Sequence, residues 1–178
     1  MKNFIFFLTL SRIIGGPIIF LLILLKEAYL LSLFLFIIFA ATDFFDGYLA
    51  RKYNHVSRMG SVMDPIADKI MISFVLVGLS LSLDSIFIAF VACIILMREF
   101  WVSGLRDFNA QSGKSHATEV LLVAKYKTSA QQFACCIYLF GISMGSSLML
   151  FLANFFLFFA LILTLYSGVI YTSQTFED

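Results

Sequence analysis

Residues 29–82 read YLLSLFLFIIFAATDFFDGYLARKYNHVSRMGSVMDPIADKIMISFVLVGLSLS. Two long apolar runs flank a short basic segment, and four aspartates, Asp43, Asp46, Asp64 and Asp68, stand where the runs approach that segment. Each run is long enough to cross a hydrocarbon core of about 30 Å as a helix. The same reading continues outward in both directions, with hydrophobic stretches at 4–25, 29–51, 61–82, 85–106, 126–147 and 149–171. Strand alternation is absent, and lipid offers no partners to bare backbone, so helices are the spanning element. The expected fold is an all-α membrane protein with six transmembrane helices, forming one integral membrane domain over residues 1–178.

Composition supports this. The chain is 61% hydrophobic and 13% charged, with a mean hydropathy of +0.98, whereas soluble domains carry roughly 25% charged residues. The net charge of +1 says little, but the placement of charge says more. Arg51, Lys52, His55 and Arg58 fall in one loop, and Arg106, Lys114, Lys125 and Lys127 around another. The turns near Asp84 and 145–147 carry no Lys or Arg, and Lys26 alone lies on the opposite side. The positive-inside rule then puts both termini and both basic loops in the cytoplasm. The segment from Asn109 to Thr118 is polar and reads as a mobile loop. Arg12 interrupts the first apolar run and no cleavage pattern follows it, so the run reads as a retained helix rather than a signal peptide. Cys93, Cys135 and Cys136 lack metal-type spacing and read as small buried hydrophobes. No nucleic-acid partner is expected.

The aspartates carry the chemistry. A charge in mid-membrane costs about 2.5–3.5 kcal/mol on insertion scales, so four uncompensated ones would cost about 10 kcal/mol. Intramembrane ionisable groups are functional candidates by default. At about 100° per residue, Asp46, Gly47 and Ala50 lie within about 60° of Asp43 on one helix face. Gly60, Asp64 and Asp68 follow at i, i+4 and i+8 on the next helix, with Pro65 expected in its first turn. A short loop makes these helices antiparallel neighbours whose acidic stripes face each other. All-oxygen ligands favour Mg²⁺ or Mn²⁺ over Zn²⁺, and two such ions suit a phosphorylated substrate. Arg51 supplies a fork for phosphate. Structural ion pairing of the acids with Lys69, Arg51 and Arg98, or a cation or proton pathway, are the competing readings.

Taken together, Asp43-x2-Asp46-Gly47-x2-Ala50-Arg51-x8-Gly60-x3-Asp64-x3-Asp68 resembles the complete signature of the CDP-alcohol phosphatidyltransferase family. Eight specified positions at average residue usage arise by chance about once in 10¹⁰ placements. The resemblance implies a six-helix, homodimeric membrane enzyme that displaces CMP from a CDP-linked lipid with an incoming alcohol. It implies that Asp43, Asp46 and Asp64 hold divalent metal beside Asp68, which deprotonates the acceptor hydroxyl. It further implies that Gly47, Ala50, Arg51 and Gly60 shape the site for the CDP portion of the lipid.

Further along, Arg98-Glu99-x6-Arg106 and Lys125-x-Lys127-Thr128-x2-Gln131 resemble the bacterial members whose acceptor is glycerol 3-phosphate, as do Leu8-Thr9-x2-Arg12 and Pro17. Phe6 and Ala124 depart from the Asn and Gly common at those places. The implied reaction takes CDP-diacylglycerol and sn-glycerol 3-phosphate as substrates. Another acceptor within the same chemistry (phosphatidylglycerol, serine or an inositol phosphate) is the alternative. A dianionic acceptor needs cations, and Arg106, Lys127, Arg98 and Lys125 are the candidates. Arg98 also invites an ion pair with its neighbour Glu99, and Lys69 a structural salt bridge. The expected location is a bacterial inner membrane, with the site towards the cytoplasm; a mitochondrial inner membrane is the lesser alternative.

Overall fold

The computed structural model describes the backbone of residues 2–26, 28–52, 58–113 and 122–176, and the side chains of these except 2–6, 43–52 and 58–62. The chain forms six helices: α1 (Lys2–Leu24), α2 (Tyr29–Lys52), α3 (Arg58–Ser82), α4 (Ile86–Gln111), α5 (Leu122–Ser143) and α6 (Ser147–Phe176). Four of them are long and apolar enough to cross a membrane, in the stretches Phe7–Leu24, Met63–Ser82, Ile86–Gln111 and Ser147–Phe176. Among the described residues α2 contributes a shorter apolar run, Tyr29–Thr42. The first half of α5 carries Lys125, Lys127, Gln131 and Gln132, which dilutes its hydropathy.

The turns follow from local chemistry. Lys26 (φ 57°) and Asp84 (φ 49°) take left-handed conformations between α1 and α2 and between α3 and α4, and Gly145 (φ 61°) does so between α5 and α6. Ser85 caps α4 by accepting the Ile88 N–H at 3.3 Å, satisfying a donor the helix cannot use internally.

Packing is tight where glycine allows it. A Cβ on Gly16 would stand 3.2 Å from the Met71 Cα, and one on Gly15 would strike the Phe39 ring at 2.4 Å. Small residues let helix backbones approach in a bilayer, where dispersion replaces the hydrophobic drive. α1 accordingly packs along α3 and also touches α2, while α6 lies against α5 and α4. Tyr29 and Ser82 hydroxyls meet at 2.7 Å, joining the start of α2 to the end of α3. Ile19, Ile23, Met71, Val75, Leu79, Val91, Tyr138 and Leu157 belong to one apolar core. Outside it, Ile86, Phe100 and Phe151 are widely exposed, a surface suited to acyl chains rather than water.

Three sequence expectations need correction. Pro65 lies inside α3, not in its first turn, because the helix already begins at Arg58; without an N–H it leaves the carbonyl of residue 61 without its helical donor. The apolar stretch ending at 106 continues as helix to Gln111, so Arg106 and Asn109 are helical rather than in a loop. Asn109 reads as a loop residue by polarity, but α6 extends to Phe176 and supplies Thr175, whose Oγ1 accepts the Asn109 amide at 2.9 Å. Lys125 and Lys127 are likewise helical, within the first two turns of α5.

Candidate active site

Asp64 and Asp68 lie one turn apart on α3, so their side chains leave the same face. Both carboxylates meet one guanidinium from α1: Arg12 donates from Nη1 to Asp68 Oδ1 at 2.6 Å and from Nη2 to Asp64 Oδ1 at 3.1 Å. Thr9, one turn earlier, donates its hydroxyl to the same Asp64 oxygen at 2.6 Å. Arg12 and Thr9 are fully buried. The reach depends on the close α1–α3 contact at Gly16, a turn beyond Arg12, against Met71, a turn beyond Asp68.

These acids open onto a cavity of about 480 Å³ that is also lined by Lys69, Arg98, Glu99, Arg106, Lys125 and Lys127. The four helical cations expected to capture an acceptor phosphate therefore share one space with two of the four aspartates. Lys69, expected in a structural salt bridge, lines this same cavity.

Glu99 organises the cationic wall. It pairs with Arg98 at 3.0 Å, with Lys69 at 3.3 Å and with Lys127 in a short contact, tying α3, α4 and α5 together. Lys69 also donates to the Ser103 hydroxyl at 3.2 Å. Arg98 is buried, donates to Ser167 on α6 at 2.9 Å and lies over the Tyr171 ring at 5.4 Å from its centre. Arg106 lies over the same ring at 5.6 Å. A buried aromatic ring in contact with two guanidinium groups stabilises both. Arg106 has no ion pair among the described residues, and its Nε is buried without a hydrogen-bond partner. Lys125 is exposed at the cavity edge.

Among the described residues the charges do not balance. Three cations converge on the single carboxylate of Glu99 and Arg106 stands beside them, while Asp64 and Asp68 share Arg12 on the opposite wall. In a low-dielectric setting such an excess calls for an anion. The arrangement can hold a phosphate a short way from a pair of carboxylates.

The side chains of Asp43, Asp46 and Arg51, and the positions of Gly47, Ala50 and Gly60 beyond their helical backbone, lie outside the described residues. Among the described residues no group of three His, Cys, Asp or Glu side chains comes together. The described acids nonetheless fit a hard divalent ion. Among the described residues Asp64 keeps Oδ2 without a hydrogen-bond donor, and no described His or Cys lines the cavity, so the donors on offer are carboxylate oxygens, which suit Mg²⁺ or Mn²⁺.

Sequence reasoning missed two features. Arg12 and Thr9 were read for topology and resemblance, although an arginine inside an apolar run is itself the signal of a buried charge partner. The ion pair expected between Arg98 and Glu99 is present at 3.0 Å, but the contacts of Glu99 to Lys69 and Lys127 reach across helices and carry no sequence signal. Nothing in the pattern of α6 marks Tyr171.

Residues 5–166 match the family described as CDP-alcohol phosphatidyltransferase, and the chain belongs to that family. It is thus an enzyme of the phosphatidyl-transferring class. Similar curated proteins carry the name CDP-diacylglycerol–glycerol-3-phosphate 3-phosphatidyltransferase. That of Rickettsia typhi is 41% identical over 176 residues, covering 96% of both chains, and that of Rickettsia prowazekii is 41% identical over 175 residues, covering 96% of this chain and 93% of its own. A more distant one from Sodalis glossinidius is 37% identical over 129 residues, 71% of each chain.

Proposed function

We propose that this enzyme transfers the phosphatidyl group of CDP-diacylglycerol to sn-glycerol 3-phosphate, giving phosphatidylglycerol phosphate and CMP. The observation that carries the reading is the single cavity in which Asp64 and Asp68 face Arg106 and the Glu99-centred cations. An acceptor without charge has no use for that excess; a phosphate monoester does. The names of the relatives point the same way.

In this reading Arg106 and Lys127 hold the acceptor phosphate, with Arg98 and Lys125 around it. Arg98 and Lys127 keep Glu99 as a shared partner, which fixes their positions before the ligand arrives. Asp68 takes the proton of the acceptor's primary hydroxyl. That oxygen forms a bond to the phosphorus carrying diacylglycerol, the bond from this phosphorus to the CMP oxygen breaks, and CMP leaves with the electron pair. Gly47, Ala50, Arg51 and Gly60 seat the CDP portion. Asp43, Asp46, Asp64 and Asp68 would hold Mg²⁺ or Mn²⁺, two ions in all, which when bound would neutralise charge on the diphosphate.

The wider reading is one catalytic domain over residues 1–178, six membrane spans and both termini in the cytoplasm. The enzyme works as a homodimer in a bacterial inner membrane. The lipid substrate enters sideways from the bilayer and the acceptor from the cytoplasm. The test offers purified protein CDP-diacylglycerol with glycerol 3-phosphate, serine, inositol phosphate or phosphatidylglycerol, and reads CMP and the lipid product. Glycerol 3-phosphate is expected to give the highest kcat/KM by at least tenfold; an equal or better rate with serine would overturn the acceptor assignment.

A further inference from the structure

The reaction as read above leaves α1 without a role, yet α1 supplies the closest described polar contacts to the acids. We propose that Arg12, supported by Thr9, is a positioning residue: the built-in counter-ion that fixes the Asp64 and Asp68 carboxylates from behind while the cavity side of Asp64 stays open to divalent metal. The proposal rests on the reading that these acids hold metal.

Four observations support it. Arg12 and Thr9 are fully buried and do not line the cavity, so they meet the carboxylates from the side opposite the substrates. The bonds that Arg12 and Thr9 make to Asp64 and Asp68 end on Oδ1 atoms. Asp64, a third exposed at 33% of its side chain, therefore keeps Oδ2 without a hydrogen-bond donor among the described residues. Finally, the bridge uses both Nη atoms of one planar group, a geometry an ammonium cannot copy. Outer partners of this kind set the orientation of metal-binding side chains.

A standing cation has two separable effects. Its charge stabilises the acid pair when no metal is present. Its fork sets the spacing of the two carboxylates, on which turnover depends. Arg12→Gln removes both effects, and Arg12→Lys removes only the second.

The experiment measures Tm in detergent with EDTA and with Mn²⁺, and kcat for CMP release, for the wild type and both variants. In EDTA, Arg12→Gln is expected to melt about 10 °C lower, the consequence of leaving a half-buried pair of carboxylates without its buried counter-ion. Mn²⁺ is expected to raise its Tm by more than it raises that of the wild type, because the ion now supplies the missing charge. Arg12→Lys is expected to keep most of the wild-type Tm in EDTA while losing at least tenfold in kcat. Wild-type kcat in Arg12→Lys would overturn the positioning role, and this arm stands even if Arg12→Gln does not fold. An unchanged Tm of Arg12→Gln in EDTA would overturn the counter-ion role. If Mn²⁺ shifts the wild type but shifts Arg12→Gln no further, the proposal fails and the metal reading stands. If Mn²⁺ shifts neither, the metal reading itself fails.

Discussion

Replacing Arg106 by alanine removes the one cavity-lining guanidinium that has no ion pair among the described residues. Its charge is held in place by the Tyr171 face at 5.6 Å, and its buried Nε has no hydrogen-bond partner, so no anion among the described residues competes with a ligand for it. A charge-assisted hydrogen bond contributes about 1.5–3 kcal/mol, which at about 1.4 kcal/mol per decade corresponds to roughly 10- to 150-fold. The whole of that loss is expected in the KM for glycerol 3-phosphate, since the CDP portion is read onto α2 and the start of α3. Arg106→Lys keeps charge but not the fork, and is expected to fall between wild type and alanine. The assay is initial-rate CMP release with each substrate varied at saturation of the other. Equal increases in both KM values, or a fall in kcat alone, would refute the phosphate-binding role and leave Arg106 a structural partner of Tyr171.

Other substitutions probe the rest of the cavity. Asp68→Asn is expected to abolish CMP release while CDP-lipid binding survives within a few fold; normal turnover would remove Asp68 as the base. Glu99→Gln takes the shared carboxylate from Lys69, Arg98 and Lys127. Breaking a buried pair costs about 3–5 kcal/mol, so Tm is expected to drop by about 10 °C, and a melting curve like that of the wild type would argue against Glu99 as the organiser. Gly16→Val places a branched side chain 3.2 Å from the Met71 backbone. Such overpacking costs about 1–3 kcal/mol and is expected to lower both Tm and turnover by pulling Arg12 from Asp68; unchanged turnover would show that the α1–α3 spacing does not reach the site.

Hydropathy made the six helices legible because membrane helices must satisfy their own backbone, and twenty apolar residues leave little choice. The acidic stripe of Asp64 and Asp68 was legible because both sit on one element, where helical period decides the face. What remained hidden depends on contacts between elements. Arg12 meets its acids across 52 and 56 residues of chain, and the Lys127 to Glu99 contact spans 28. Periodicity within one helix cannot find such partners. The extension of α4 past Arg106 was missed for a similar reason: Asn109 is polar, but α6 buries it against Thr175.

In the proposed reaction, carboxylates on one wall and surplus cations on the other serve a phosphatidyl transfer between two phosphorylated substrates. The most direct test is CMP release by the purified enzyme from CDP-diacylglycerol, with glycerol 3-phosphate and Mn²⁺ each supplied or withheld. Release is expected only when both are present, and to cease on chelation. Undiminished release in excess EDTA, or no release with both present, would contradict the account.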